Sequence, residues 1–215
     1  MSATPDVRQA VLDTAREMYR KGLVEGTSGN VSGRMPDGAV WVTPSSVPYE
    51  TMGLEDLVLL DPDGKVLEGS RGPTSEKDLH LACYRAFEEV GGVIHSHATY
   101  ASMFACARQS IPAAIEEFVV YVGGEVPVCD YALTGTVALA EEAVRHLRDT
   151  SAALLASHGM ITVGATPAKA LHVALVVERT AHIVYGARVL GGEVPLPEKT
   201  NRDFRGVYQL MRTSP

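Results

Sequence analysis

His95 and His97 are the first residues in this sequence whose spacing suggests chemistry, because they lie in the apolar segment Val93-Ile94-His95-Ser96-His97. In a β-strand, alternate side chains point to the same face of the sheet, so both imidazoles can reach one cation. An H-x-H pair on its own is more often two unrelated histidines. A metal centre therefore requires further ligands from elsewhere in the chain.

Two further residues supply such ligands. His158 follows an apolar run and precedes Gly159, which lets the backbone turn and leaves the imidazole at the rim of a sheet. Glu76 stands at the start of a predicted helix. Three imidazoles and one carboxylate form the ligand set of a catalytic zinc-type centre that leaves room for a substrate. The sequence thus predicts a metal centre formed by His95, His97, His158 and Glu76.

Three loops rich in glycine and small hydroxyl residues form a second candidate site: Gly26-Thr27-Ser28-Gly29-Asn30, Thr43-Pro44-Ser45-Ser46 and Thr74-Ser75. Each has the composition of an ordinary turn. Together they could direct hydroxyl and backbone N–H groups at a phosphate. The G-x-x-x-x-G-K-[ST], G-x-G-x-x-G and H-E-x-x-H patterns are missing, which disfavours nucleotide binding and proteolysis.

The remaining histidines and the cysteines are given no catalytic role. His80 lies one helical turn after Glu76 and could orient it through a hydrogen bond. The cysteines lack a C-x-x-C pair and are predicted to be reduced packing residues. The residues concerned are His80, His146, His172, His182, Cys83, Cys106 and Cys129.

Hydrophobic periodicity predicts the elements that must position these groups. Two hairpins turn at Pro36-Asp37-Gly38 and Asp61-Pro62-Asp63-Gly64, and Ser75 with Asp78 resembles a capping box. Further strands are predicted at residues 93–97, 152–156 and 161–163, and a weak helix follows Gly191-Gly192. Helices are predicted at residues 7–19, from residue 75 to about 87, after the strand at 93–97 through about residue 108, at 136–147 and from 168 to about 190. Residues 111–131 receive no assignment.

The amino-acid composition limits the classes of protein to which this chain can belong. The 215 residues are 46% hydrophobic and suit one α/β or α+β domain over residues 1–215, with a sheet flanked by helices. The formal charge of −7 without a basic block argues against nucleic-acid binding. Without an apolar run long enough for a membrane helix or a signal peptide, we expect a cytoplasmic protein that does not bind membranes.

Six motifs in order along the chain resemble those of the class II aldolase and adducin superfamily, and within it the L-fuculose-1-phosphate aldolases. They cover nearly the whole chain, so chance similarity does not account for them. The motifs are residues 26–32, residues 43–49, Pro73-Thr74-Ser75-Glu76, His95-Ser96-His97, Ser110-Ile111-Pro112-Ala113 and His158-Gly159.

This resemblance implies a three-layer α/β/α sandwich with a mostly antiparallel sheet, assembled as a four-fold homotetramer with active sites between subunits. It implies Zn²⁺, or alternatively Mn²⁺, Co²⁺ or Fe²⁺, bound by His95, His97 and His158. Glu76 would ligate the metal and move aside to act as the base. The implied reaction is reversible cleavage of a ketose 1-phosphate, such as L-fuculose or 5-deoxyribulose 1-phosphate, into dihydroxyacetone phosphate and an aldehyde. The implied phosphate-binding residues are Thr27, Asn30, Ser45, Ser46, Thr74 and Ser75.

The sequence departs from the family pattern at one position. A tyrosine that handles the aldehyde oxygen is expected after Ile111-Pro112-Ala113, but the stretch reads Ile115-Glu116-Glu117-Phe118. Candidate replacements are Glu117, Tyr121 and Tyr208. Several alternatives stay open: a decarboxylase, a dehydratase, an epimerase, a non-haem iron centre and a non-catalytic adducin-like interaction module. An epimerase would usually carry aspartate at the position of Glu76.

Overall fold

A computed structural model describes residues 6–213 and contains one eight-stranded sheet with the strand order β4-β3-β2-β1-β5-β8-β7-β6. Neighbouring strands pair antiparallel, except that β6 and β7 pair parallel. The strands are β1 Asn30–Arg34, β2 Val40–Val42, β3 Val58–Leu60, β4 Val66–Glu68, β5 Gly92–Ser96, β6 Val128–Cys129, β7 Ala152–Leu155 and β8 Gly159–Gly164. The helices are α1 Val7–Arg20, α2 Lys77–Ala86, α3 Thr99–Ala107, α4 Glu116–Val122, α5 Val137–His146, α6 Pro167–Val189 and α7 Glu198–Thr213.

Two hydrophobic cores lie on opposite faces of the sheet. Since side chains alternate along a strand, Ile94 of β5 packs into the core that contains α1, α3 and α6, whereas Val93 packs into the core under α2 and α5. Helices thus cover both faces, and the predicted three-layer α/β/α sandwich with a mostly antiparallel sheet is confirmed.

Local sequence signals account for several element boundaries. The Asp6 carboxylate accepts a hydrogen bond from the Gln9 N–H and caps α1. The Thr166 hydroxyl caps α6 in the same way, with Pro167 in the first turn. In the two hairpins, Gly38 and Gly64 adopt φ values of 89° and 87°, which favour glycine. These predicted elements are confirmed.

The predicted capping box at Ser75 is wrong. Helix α2 begins at Lys77 with Glu76 as its N-cap residue, and no side chain caps it. The Glu76 carboxylate instead points towards His95 and His158. Helix α2 therefore begins without a side-chain cap, and the Glu76 carboxylate lies in the histidine cluster instead.

Other parts of the chain also differ from expectation. Residues 111–131, which received no assignment, contain α4 and β6. The final helix, expected to be weak, is α7 with 16 residues. Cys106 is exposed rather than packed, because α3 buries Ala101, Phe104 and Ala105 on its other side. Among residues 6–213, no helix is both long and apolar enough to cross a membrane.

Candidate metal centre and active site

The three predicted histidine ligands come from two neighbouring strands of the sheet. His95 lies in β5, His97 follows directly after that strand, and His158 occupies the turn that enters β8. Ser157 adopts a left-handed conformation with φ of 56°, which sets the direction of the chain at His158. At Gly159, a Cβ atom would lie 2.3 Å from the Ser96 carbonyl oxygen and 3.0 Å from His97 Cδ2. Only glycine allows this close approach.

The imidazole nitrogens converge on one point. His95 Nε2 and His97 Nε2 are 2.9 Å apart, and all three residues offer ligand atoms within 4.8 Å of one another. His95 Nδ1 donates to the Met160 carbonyl oxygen at 3.0 Å, so His95 Nε2 carries the free lone pair. Two imidazole nitrogens bound to one zinc ion lie about 3.3 Å apart. The cluster therefore has the donor type and spacing of a divalent-metal site.

The carboxylate of Glu76 faces this cluster. Its Oε2 lies 3.2 Å from His95 Nε2, and its Oε1 lies 3.5 Å from His158 Nε2. Asn30 Nδ2 donates to Oε2 and Thr134 Oγ1 donates to Oε1, both at 2.9 Å. Two neutral donors thus hold the carboxylate beside the three imidazoles.

Electrostatics favours an ionised Glu76, and burial favours neutral His95 and His97. Burial alone would raise the pKa of Glu76, but the imidazole of His95, the Asn30 amide, His158 and the Thr134 hydroxyl together lower this pKa. Burial lowers the pKa of His95 and of His97. An ionised carboxylate and unprotonated imidazoles are the forms that bind a metal ion.

The glycine and hydroxyl loops enclose a polar cavity of about 240 Å³ next to the cluster. Ser46 in its wall adopts a left-handed conformation with φ of 60°. The described residues of the wall include no lysine or arginine. The structure brings together in this wall every residue predicted for phosphate binding, along with Glu76 and two of the histidines: Thr27, Asn30, Ser45, Ser46, Thr74, Ser75, Glu76, His97 and His158.

The three candidate acids do not line this cavity. Glu117 Oε2 is 3.0 Å from Arg179 Nη1. Tyr208 is buried, with its hydroxyl 2.9 Å from Ser151 Oγ. Tyr121 and Tyr208 line a separate cavity of about 300 Å³ beside Gly164, at the end of β8 opposite to His158. The assignment of an acid among them stays a prediction.

Thr134 is a site residue that the sequence did not indicate. It lies in Leu133-Thr134-Gly135-Thr136, another segment of glycine and small hydroxyl residues like those recognised above. Asn30 lies in the cavity wall as expected, and in addition its Nδ2 donates to Glu76 and its Oδ1 accepts a hydrogen bond from His80. Its role in phosphate binding stays a prediction. His80 thus reaches Glu76 through Asn30 rather than directly.

A second group of potential ligands, Cys129, Glu142 and His146, lies on β6 and α5. Glu142 Oε1 already accepts hydrogen bonds from the Asp130 N–H and from His146 Nε2, and Oε2 pairs with Arg145. Burial raises the pKa of the Cys129 thiol to about 12. These internal contacts account for the proximity of Cys129, Glu142 and His146 without a bound metal ion.

Comparison with known proteins gives consistent matches. The model of the class II aldolase and adducin N-terminal domain matches residues 9–185. A 5-deoxy-D-ribulose 1-phosphate aldolase from Bacillus thuringiensis serovar kurstaki is 35% identical over 192 residues, or 89% of this chain and 90% of that protein. An L-ribulose-5-phosphate 4-epimerase from Salmonella paratyphi B is 35% identical over 195 residues, or 85% of each chain.

The fold agrees with these sequence matches. A solved structure of an L-fuculose 1-phosphate aldolase superposes with a TM-score of 0.90 at 31% identity, covering 96% of this chain and 98% of that one. Fold and site together define a lyase with a histidine-based candidate metal site. The chain belongs to the class II aldolase and adducin family.

Proposed function

We propose that this chain is a zinc-dependent aldolase that reversibly cleaves a ketose 1-phosphate, such as L-fuculose or 5-deoxyribulose 1-phosphate, into dihydroxyacetone phosphate and an aldehyde. The observation that supports this most is the placement of the Glu76 carboxylate, which faces three imidazoles at the end of a cavity lined by hydroxyl groups. This arrangement combines a metal site, a base and a polar subsite for an anion.

His95, His97 and His158 would hold the metal. Bound there, a divalent cation would polarise a substrate carbonyl and stabilise negative charge on its oxygen. Three neutral imidazoles with a position left for substrate suit Zn²⁺ best, while Mn²⁺, Co²⁺ and Fe²⁺ bind the same donors more weakly.

Residues of the protein carry out the remaining steps, which are phosphate binding and proton transfer. Hydroxyl and backbone N–H groups of the cavity bind the phosphate, remote from the bond that breaks, and so fix the position of the ketose. When the C3–C4 bond breaks, its electron pair stays on C3, the C4 hydroxyl gives its proton to a base, and C4 with its oxygen becomes the aldehyde. Glu76 delivers a proton to C3 or, in the synthetic direction, removes it. Asn30 and Thr134 keep the carboxylate at that position.

We also propose that the chain acts as a single cytoplasmic domain in a homotetramer. Tyr131, Leu133 and Val137 flank the site residue Thr134 and are at least 62% exposed. Such an apolar rim is typical of a surface that a partner covers. A neighbouring subunit would bring Glu117 or Tyr121 to the cavity and so supply the acid for the aldehyde oxygen, whereas Tyr208 is buried inside its own subunit.

Epimerisation is the second candidate, since the epimerase relative is as similar in sequence as the first aldolase. Both reactions can begin with cleavage of the same carbon–carbon bond, and they differ in whether the aldehyde leaves. Glu76, in place of the aspartate expected for an epimerase, favours the aldolase. A dehydratase, a decarboxylase or an interaction module has no separate support in the site.

The experiment that tests this proposal identifies the products. The zinc-loaded protein is incubated with L-fuculose 1-phosphate, 5-deoxyribulose 1-phosphate or L-ribulose 5-phosphate, and dihydroxyacetone phosphate is detected by coupled reduction with NADH. We expect the wild-type protein to release dihydroxyacetone phosphate from a ketose 1-phosphate, and the His97→Ala variant to release none. An epimeric pentose phosphate without free aldehyde would establish the epimerase instead, and an inactive protein without bound metal would indicate an interaction module.

A further inference from the structure

Behind Glu76, five side chains form a buried line of hydrogen bonds that ends away from the cavity. Glu76 Oε2 contacts Asn30 Nδ2 at 2.9 Å, and Asn30 Oδ1 contacts His80 Nε2 at 2.5 Å. His80 Nδ1 contacts Ser32 Oγ at 2.6 Å, and Ser32 Oγ contacts the Tyr84 hydroxyl at 2.7 Å. All five residues are at most 6% exposed.

The periodicities of a helix and a strand produce this line. Glu76, His80 and Tyr84 are spaced by four residues along α2 and its N-cap, so they lie on one face of the helix. Asn30 and Ser32 are spaced by two along β1 and point to the same face of the sheet. The two rows interdigitate, and each polar side chain meets its neighbours in the other row.

The donor and acceptor of every hydrogen bond in this line follow from the Glu76 carboxylate at one end of it. An ionised carboxylate can only accept, so Asn30 presents its NH₂ group to Glu76 and its carbonyl oxygen to His80. His80 must then carry its proton on Nε2 and accept from the Ser32 hydroxyl on Nδ1. Burial lowers the pKa of His80 to about 4, although Glu76 acts in the opposite direction, and burial raises the pKa of Tyr84. Both residues are therefore neutral, and the Tyr84 hydroxyl donates to Ser32.

We propose that His80 is a positioning residue that fixes the amide orientation of Asn30, with Ser32 donating to His80 Nδ1 and Tyr84 donating to Ser32. This inference rests on the proposed role of Glu76 as the base. An asparagine side chain rotated by half a turn would place its carbonyl oxygen against the carboxylate, where it repels the charge. The Nε2–H of His80 excludes that rotation because it needs an acceptor. Glu76 thereby retains its donor while it exchanges a proton with the substrate.

The test compares His80→Met, which removes the donor at similar volume, with His80→Gln, which can offer an N–H near the position of Nε2. His182→Met is the matched control, since His182 is exposed on α6 and stacks on Tyr100. Bound metal, kcat and KM for ketose 1-phosphate cleavage are measured for each. We expect His80→Met to keep one metal ion per chain and an unchanged KM while kcat falls about 10- to 100-fold, the usual loss for an outer-sphere partner. His80→Gln should recover most of kcat.

A normal kcat in metal-loaded His80→Met, or a His80→Gln variant no better than His80→Met at equal metal content and stability, would overturn the proposal. If His80→Met does not fold, Ser32→Ala decides, because it removes only the hydroxyl that holds Nδ1. We then expect kcat to fall with KM unchanged, and a normal kcat would count against the proposal.

The tautomer separates this inference from the proposed function. Nitrogen-15 NMR of the histidine side chains in the zinc-loaded protein should show a neutral His80 protonated on Nε2, even if no ketose phosphate is cleaved. Protonation on Nδ1 would refute the positioning role alone, whereas an inactive wild-type protein with the expected tautomer would refute only the function.

Discussion

Replacing Gly159 by alanine should disrupt the metal centre without altering any ligand. The added Cβ would lie 2.3 Å from the Ser96 carbonyl oxygen, where ordinary contacts begin at 3.4 Å. Since Ser96 lies between His95 and His97, β8 and the end of β5 must separate by about 1 Å. Overpacking of this kind costs about 1–3 kcal/mol of stability. A misplacement of about 1 Å in an active site lowers the rate by about 10²-fold.

Calorimetric titration of zinc into the metal-free protein, with thermal unfolding and the cleavage rate, measures these effects. We expect Gly159→Ala to bind zinc at least about tenfold more weakly and to lose about two orders of magnitude in rate. Gly186→Ala is the matched control, because its Cβ meets nothing within 4 Å and α6 gains helix propensity. It should unfold at the same or a slightly higher temperature. Wild-type zinc affinity and rate in Gly159→Ala would refute the close approach of β8 to His97.

Three further outcomes are expected. His97→Ala should lose metal retention, measured by elemental analysis after gel filtration, while circular dichroism stays unchanged; retained stoichiometric metal would contradict its role as a ligand. Glu76→Gln should keep the metal but lose proton exchange on dihydroxyacetone phosphate, and full exchange would exclude Glu76 as the base. The pKa of His80 falls from 6.5 to about 4 on folding, so the imidazole of the unfolded chain is protonated at a higher pH than that of the folded chain. The free energy of unfolding should therefore decrease between pH 6.5 and pH 4, by up to about 3 kcal/mol. Urea titrations from pH 7 to 4 should show a smaller decrease in His80→Gln, and an equal decrease would contradict the buried neutral state.

The candidate ligands could be predicted from the sequence because each depends on a local signal. His95 and His97 sit two residues apart at the end of one strand, and His158 precedes a glycine. Their convergence could not be read from spacing alone, since it depends on the pairing of β5 with β8, where Ser96 lies opposite Met160. The set of three imidazoles and one carboxylate suggests this convergence, the family resemblance implies it as well, and the short distances between the side chains agree with it.

Features that depend on tertiary contacts were missed. The apolar residues Phe118, Val119 and Val122 of α4 suit a short strand as well as a helix, and the helix is fixed by packing against α6 and α7. The resemblance implies a phosphate-binding role for Asn30, which stays a prediction, but it does not indicate the contact of Asn30 with Glu76. The antiparallel pairing of β1 with β5 places it opposite His95, and there it binds Glu76.

Exchange of solvent deuterium into dihydroxyacetone phosphate, followed by proton NMR, tests whether the three histidines and Glu76 act together in catalysis. We expect stereospecific exchange of one C3 hydrogen by the zinc-loaded protein, loss of exchange with a chelator and recovery on adding zinc. Exchange that survives complete metal removal, or no exchange by protein carrying one zinc ion per chain, would contradict the assignment of His95, His97, His158 and Glu76 as one catalytic centre.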